Sequence, residues 1–333
     1  MVQQTTDYDY IVVGAGSAGA IVASRLSEDP DCTVLLLEYG GSDASVFIRM
    51  PSALGIPMNS SKYNWGFESA PEPYLNNRRM NCPRGKVMGG SSSINGMVYV
   101  RGNATDYDEW ESLGAAGWNY QNCLPYFKKL ENHQCRSSEY TGSEGPVAIS
   151  SGNNMRNPMY RAFIDAGVEA GYGETDDYNG YKQEGFGQKF MNVDAGVRAS
   201  TSHAYLKTAK NRSNLTILKR ALVTAIQFEG KTATGIQYIK RGKIRQARAS
   251  REVVLCAGAI GSPHLLQVSG VGPTEVLESA GIETVHHLPG VGENLQDHLE
   301  LYVQYACKKP VSMYPALKWY NQPKIGRSEE HTS

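Results

Sequence analysis

The chain has 333 residues, is 41% hydrophobic and 20% charged, and carries 33 Lys plus Arg against 33 Asp plus Glu. That length and composition suit a globular protein of about two domains, and balanced charge without an aromatic-interleaved basic patch excludes nucleic acid as a partner. The six cysteines form no CxxC pair and have no histidines at zinc spacing, so no metal and a reduced compartment are expected.

Taken in order, Asp9-Tyr10-Ile11-Val12-Val13 is a short β-branched apolar run, the pattern of a buried parallel strand. It runs into Gly14-Ala15-Gly16-Ser17-Ala18-Gly19, and helical periodicity starts near Ser17. Thr33 to Leu37 is the next strand, closed by Glu38, nineteen positions after Gly19. Gly14 permits the tight turn, Gly16 lets a pyrophosphate approach the backbone, and Gly19 lets helix and strand pack closely. The helix N-terminus offers N–H groups to phosphate. A carboxylate at Glu38 accepts ribose hydroxyls and repels a 2′-phosphate, so NADP is disfavoured. This unit alone leaves FAD and NAD both open.

Residues 42–83 are irregular and Pro-punctuated, and so long a stretch is expected to wrap over the cofactor. Trp65 flanks a cofactor or packs in the core. Gly89-Gly90-Ser91-Ser92-Ser93 then offers close backbone approach and several donors, and Asn95 is a polar amide in an apolar run. Residues 106–130 are helical in part, with Trp110, Leu113, Trp118, Leu124, Tyr126, Phe127 and Leu130 expected in the core. A strand is expected at 147–150 and a helix at 157–171 with Met159, Phe163, Ile164 and Val168 inward. Loops and short strands of a second domain follow. The chain returns to the first sheet through a helix at 201–209 and strands at 215–218, 222–228, 233–239 and 252–259. A small-residue turn at Ala257-Gly258 leads into a helix from Gly261.

Three motifs together resemble the glucose-methanol-choline family of FAD-dependent oxidoreductases: Gly14 to Gly19 with Glu38, Gly85 through Gly89-Gly90-Ser91-Ser92 and Asn95 to Asp108, and Gly258 to Gly272. The second departs from the usual pattern only at Met88, a volume-conserving change. Runs such as Tyr63-Asn64-Trp65, Gly290 to His298 and Pro315 to Pro323 are most similar to its choline-oxidising members.

The resemblance implies an α/β fold: a discontinuous, Rossmann-like doubly wound FAD-binding domain, and a second α+β substrate domain on an antiparallel sheet. Residues 1–150 and 201–297 would form the first, and 151–200 and 298–326 parts of the second. It implies that Gly14, Gly16, Ser17, Ala18 and Gly19 hold the pyrophosphate, Glu38 the ribose and Val223 the adenine. Trp65, Gly89, Gly90, Ser91, Asn95, Gly96, Met97, Val98, Ala257 and Gly258 would complete the cofactor site. Ile94 stands where some choline-oxidising relatives carry a flavin-linked histidine, so FAD would be non-covalent. Glu300 would meet the cation of choline, with Trp319 or Tyr320 as the aromatic wall and His298 a weaker substrate contact.

The activity implied is oxidation of choline to betaine aldehyde by hydride transfer to flavin N5. Alternatives are another primary alcohol or a flavin-binding hydroxynitrile lyase. Membrane quinone is the implied electron acceptor, with peripheral attachment to a bacterial inner or mitochondrial membrane; oligomeric state is left open. The first strand begins so near Met1 that no signal or transit peptide is expected. Residues 327–333 resemble the translation of a sequencing adapter and are excluded from fold reasoning. The family's catalytic histidine is then expected beyond the end, and the fragment itself to be inactive.

Overall fold

A six-stranded sheet organises the first part of the molecule. In the computed structural model, which describes residues 6–151, 155, 157–298, 301–309, 311–312 and 318, its strands are β1 (Thr6–Val13), β2 (Val34–Glu38), β3 (Leu215–Lys219), β4 (Ala221–Glu229), β5 (Thr232–Lys240) and β6 (Lys243–Leu255). They lie in the order β4-β5-β6-β1-β2-β3. β6, β1, β2 and β3 are parallel, while β4, β5 and β6 form an antiparallel meander. β6 serves both: Ala247 and Arg248 pair with β1 on one side and β5 on the other.

Both faces of the parallel strands are covered, which explains their unbroken apolar runs. Ile11, Val13, Leu35 and Leu37 pack with Ala221, Ile226, Ile236 and Tyr238 of the meander. Val12, Val34 and Leu36 point the other way, onto Ala20 and Ala23 of helix α1 (Ser17–Leu26) and onto Leu206 and Ala209. Full burial of each such Val, Leu or Ile contributes about 1.5–3 kcal/mol. Helix α2 (Gly258–Val268) follows β6. β6 begins nine residues before the expected Glu252, because its first half is rich in charge and buries only the small Ala247. The helix expected at 201–209 is a π-helical turn, Ser202–Leu206, continued as α-helix Lys207–Ala209.

By contact the chain divides into two units: Met1–Arg49, Ala53–Asn95 and Ser200–Leu301, and Met50–Ser52, Gly96–Ala199 and Tyr302–Ser333. Residues 96–150, read from sequence with the cofactor domain, group here with the second unit. Half-buried Tyr99 and the buried side chains of Arg101, Glu131 and Asn179 tie them together.

The described residues of the second unit carry helices Ala104–Ser112, Tyr120–Leu130 and Pro158–Glu169. They also carry a parallel pair, Glu131–His133 with Val147–Ile149, and an antiparallel pair, Val193–Asp194 with Val197–Arg198. The expected core on these helices is corrected. Trp110, Leu113, Trp118 and Tyr126 are exposed, as are Met159, Phe163 and Val168, while Ile164 is buried. Tyr107 supplies the shared contact between the first two helices, with Trp110, Tyr120 and Phe127 around it at 5.1, 6.2 and 5.6 Å. That contact uses one side of each helix and leaves the other aromatics outside.

Candidate functional site

Three segments far apart in sequence meet at the carboxyl ends of β1, β2 and β6, where open α/β sheets place ligands. The turn after β1 is pinned at its start, with Gly14 N–H donating to Leu37 C=O at 2.9 Å and Cys256 N–H to Val13 C=O at 2.8 Å. The 85–95 segment docks onto the same turn through Gly89 N–H to Ala15 C=O at 2.8 Å.

The glycines have separate roles. Gly14 has φ +98° and lies against the Cys256 carbonyl, 2.5 Å from where a Cβ would be. A Cβ on Gly19 would overlap the Gly14 carbonyl oxygen, so helix and strand could not approach. A Cβ on Gly90 would stand 2.6 Å from the Gly16 Cα, so the two loops touch backbone to backbone. A Cβ on Gly16 would meet nothing nearer than 3.8 Å, so room for a ligand remains there. Beside it α1 begins with no side-chain cap. Its first N–H groups, at exposed Ser17 and Ala18 and at Gly19, carry the helix's partial positive charge. Exposed Ala257 and Gly258 open α2 at the end of β6, also without a side-chain cap. Backbone donors at two helix starts and a gap at Gly16 fit the diphosphate of a dinucleotide.

Glu38 is buried at the end of β2. Its carboxylate accepts from Ala15 N–H at 3.0 Å and from Gly40 N–H at 2.7 Å. Burial pushes its pKa up to about 7, although the Gly40 and Ala15 N–H groups favour the charged form. Each carboxylate oxygen can accept a second bond, so ribose hydroxyls remain compatible with this geometry. Val223 lies on the edge strand β4, paired with Tyr238 just before a register shift that passes over Thr224.

The serines bond within their own turn. Ser93 donates to Met88 C=O at 2.7 Å, Ser92 to Gly89 C=O at 2.6 Å, and Ser91 Oγ accepts from Gly85 N–H at 3.1 Å. They hold the turn that carries Gly89 and Gly90. Ile94 is buried with Ile48, Tyr63 and Val87, while Asn95 is exposed. Trp65 is not a core residue: it stacks between Tyr39 at 5.0 Å and Phe67 at 5.8 Å, and Lys86 Nζ lies 5.8 Å from its ring. Tyr39 and Lys86 went unread in the sequence. Tyr39 directly follows Glu38, which was the available signal.

In the second unit, Gly96 and Val98 are exposed and Met97 is buried in a left-handed conformation, φ +62°. Four residues on stands a buried ion pair that sequence reading missed, Arg101 with Glu131. Arg101 Nε donates to Glu131 at 3.0 Å, Nη2 also reaches it, and the Tyr99 hydroxyl donates to the same oxygen. Burial, then the charge of Glu131, push the Tyr99 phenol well above its ordinary range, so it stays a donor. Burial pulls Arg101 down, but bonding to Glu131 and Tyr99 outweighs it and raises the pKa. A cavity of about 270 Å³ adjoins the pair, lined by Tyr120, Tyr140, Tyr178 and Gln183. Several of its polar groups bond within the protein, as Gln183 does to Asn103 at 2.9 Å.

His298 is exposed, its N–H turned to Asp297 at 2.9 Å. Glu300, Trp319 and Tyr320 lie outside the described residues. No group of side chains able to hold a metal occurs among the described residues, and none of their helices is long and apolar enough to cross a membrane.

A family model described as GMC oxidoreductase matches residues 8–300. The chain is 59% identical over 320 residues to the oxygen-dependent choline dehydrogenase of Vibrio vulnificus (strain YJ016), covering 96% of this chain and 57% of that protein. It is 58% identical over 328 residues to an oxygen-dependent choline dehydrogenase of Chromohalobacter salexigens, covering 97% and 59%. It thus spans under two thirds of the length of these curated relatives. Among solved structures, pyridoxine 4-oxidase from Mesorbium loti matches with a TM-score of 0.84 at 34% identity, over 87% of this chain and 57% of that one. An FAD-dependent oxidoreductase from Chaetomium thermophilum matches with 0.82 at 35%, over 87% and 52%.

Proposed function

We propose, since the chain belongs to the GMC oxidoreductase family, that it is the flavin-binding portion of a protein that oxidises choline to betaine aldehyde. The observation that carries this reading is the meeting of the 14–19 turn, the 85–95 segment and Ala257-Gly258 beside Glu38. FAD, when bound, supplies the hydride acceptor.

On this reading Gly14, Gly16, Ser17, Ala18 and Gly19 hold the diphosphate, and Glu38 accepts the ribose hydroxyls while bridging Ala15 and Gly40. Val223 offers backbone to the adenine, and Trp65, with Tyr39 beside it, a ring face. Gly89, Gly90, Ser91, Asn95, Gly96, Met97, Val98, Ala257 and Gly258 border the rest of the cofactor. Ile94 carries no nucleophile, so attachment is non-covalent. Choline nitrogen can neither lose a proton nor accept a hydrogen bond, so its recognition needs negative charge and aromatic faces. Glu300, Trp319 and Tyr320 supply these, with His298 near. A cation–π contact of this kind contributes about 0.5–2 kcal/mol.

The electron acceptor on this reading is a membrane quinone met from a peripheral position; oxygen, for which the choline dehydrogenase relatives are named, is the competing acceptor. Similarity to pyridoxine 4-oxidase supports a second reading, the same chemistry on another primary alcohol. The test is the full-length protein, purified and mixed anaerobically with choline, pyridoxine or simple aliphatic alcohols. Bleaching of a yellow, denaturation-releasable flavin by choline first is the expected result. A colourless protein removes the cofactor assignment, and bleaching only by another alcohol removes choline.

A further inference from the structure

The segment after the left-handed Met97 violates the ordinary burial rule. Val98 and Val100 face outward at 42% and 55% exposure, while Arg101 is 5% exposed and its partner Glu131 is fully buried. A slip of one residue would turn both valines inward, expel buried Met97 with Tyr99, and release the arginine to water. The observed register is held along the other edge. Asn192 N–H donates to Met97 C=O at 2.7 Å and Tyr99 N–H to Phe190 C=O at 2.9 Å. Tyr99 C=O accepts from the Tyr178 hydroxyl at 2.9 Å, and Arg101 N–H donates to Asn179 Oδ1 at 2.8 Å. Gln183 Nε2 closes the run on Arg101 C=O at 2.9 Å.

We propose that the buried Arg101–Glu131 pair, keyed by the Tyr99 hydroxyl, is a register lock that turns Val98 and Val100 outward and so positions the backbone that borders the flavin. This rests on the flavin reading above, in which Gly96, Met97 and Val98 lie along the ring. A buried ion pair is weak as a stabiliser but effective as a specifier, because every alternative register leaves its charges unpaired. Arg101 and Glu131 are positioning residues; neither is assigned a part in the chemistry.

The test uses the full-length protein with its bound cofactor. Arg101→Met/Glu131→Leu removes both charges together and leaves an apolar filling. The expected protein is folded and yellow, with shifted visible flavin maxima, an altered midpoint potential and kcat lower by about tenfold or more. Wild-type maxima, potential and kcat in that variant would overturn the proposal. Should it fail to fold, Tyr99→Phe, which takes a single hydroxyl from Glu131, decides: a shifted spectrum supports the lock and an unchanged one rejects it. A wild-type protein without flavin instead rejects the underlying reading, and the lock with it.

Discussion

The two units bury different things. The first holds three clusters of packed apolar side chains, two of them on opposite faces of one sheet. The second holds Arg101, Glu131, Asp177, Asn179 and Arg198 among its buried residues and leaves several aromatic side chains outside. An apolar core tolerates exchange among side chains of similar volume, whereas a charged core makes each member depend on its partner. The unit carrying the glycine turns should therefore fail through backbone overlap, and the other through stranded charge.

The largest expected effect is Gly19→Val. Its Cβ would overlap the Gly14 carbonyl oxygen, and the change should cost about 4–5 kcal/mol or more, read as loss of the cooperative urea transition. Next is Arg101→Met alone, which strands Glu131 and should cost about 3–5 kcal/mol. Adding Glu131→Leu should return most of that loss, so a double-mutant cycle by urea unfolding reads the coupling directly. An additive cycle would erase the contrast between the two cores.

Glu38 sharpens the contrast from the other side, as a buried carboxylate in the apolar unit with no ion-pair partner among the described residues. Its pKa is raised in the folded state from 4.5 to about 7. The stability it contributes is therefore full below about pH 4.5 and lost as pH rises through about 7, roughly 3 kcal/mol in the cofactor-free protein. Urea midpoints at pH 5 and pH 8 measure the slope, and Glu38→Gln should flatten it. The smallest effect belongs to Arg161→Ala. It removes exposed pairs with Asp165 and Glu174, and the unfolding midpoint should stay within measurement error.

Legibility in the sequence follows the same division. β1, α1 and β2 were readable because both sheet faces are covered and the apolar run, the glycines and Glu38 fall in one short stretch. The first half of β6 was not, since Lys243 to Ser250 pairs through backbone and shows water its charges. Helix 120–130 misled because Tyr126 fits the helical spacing yet lies on the exposed side, while Tyr120 and Phe127 face Tyr107. Arg101 and Glu131 are thirty residues apart, and no periodicity links a buried cation to its anion. The candidate cofactor segments were each readable from glycine spacing. The contact of Gly16 with Gly90, like the Tyr39–Trp65 stack, emerges only once distant loops are brought together.

The dual pairing of β6 also sets a schedule for synthesis. Thr6 of β1 finds its neighbour in Ala247, 241 residues later. At about 5–20 residues per second, a ribosome needs roughly ten to fifty seconds to deliver that strand after β1 has emerged. Throughout that interval the nascent chain presents Tyr8 to Val13 as an open hydrogen-bonding rim. Chaperone occupancy during translation, mapped by crosslinking from this rim, should therefore end only after residue 255 has left the exit tunnel.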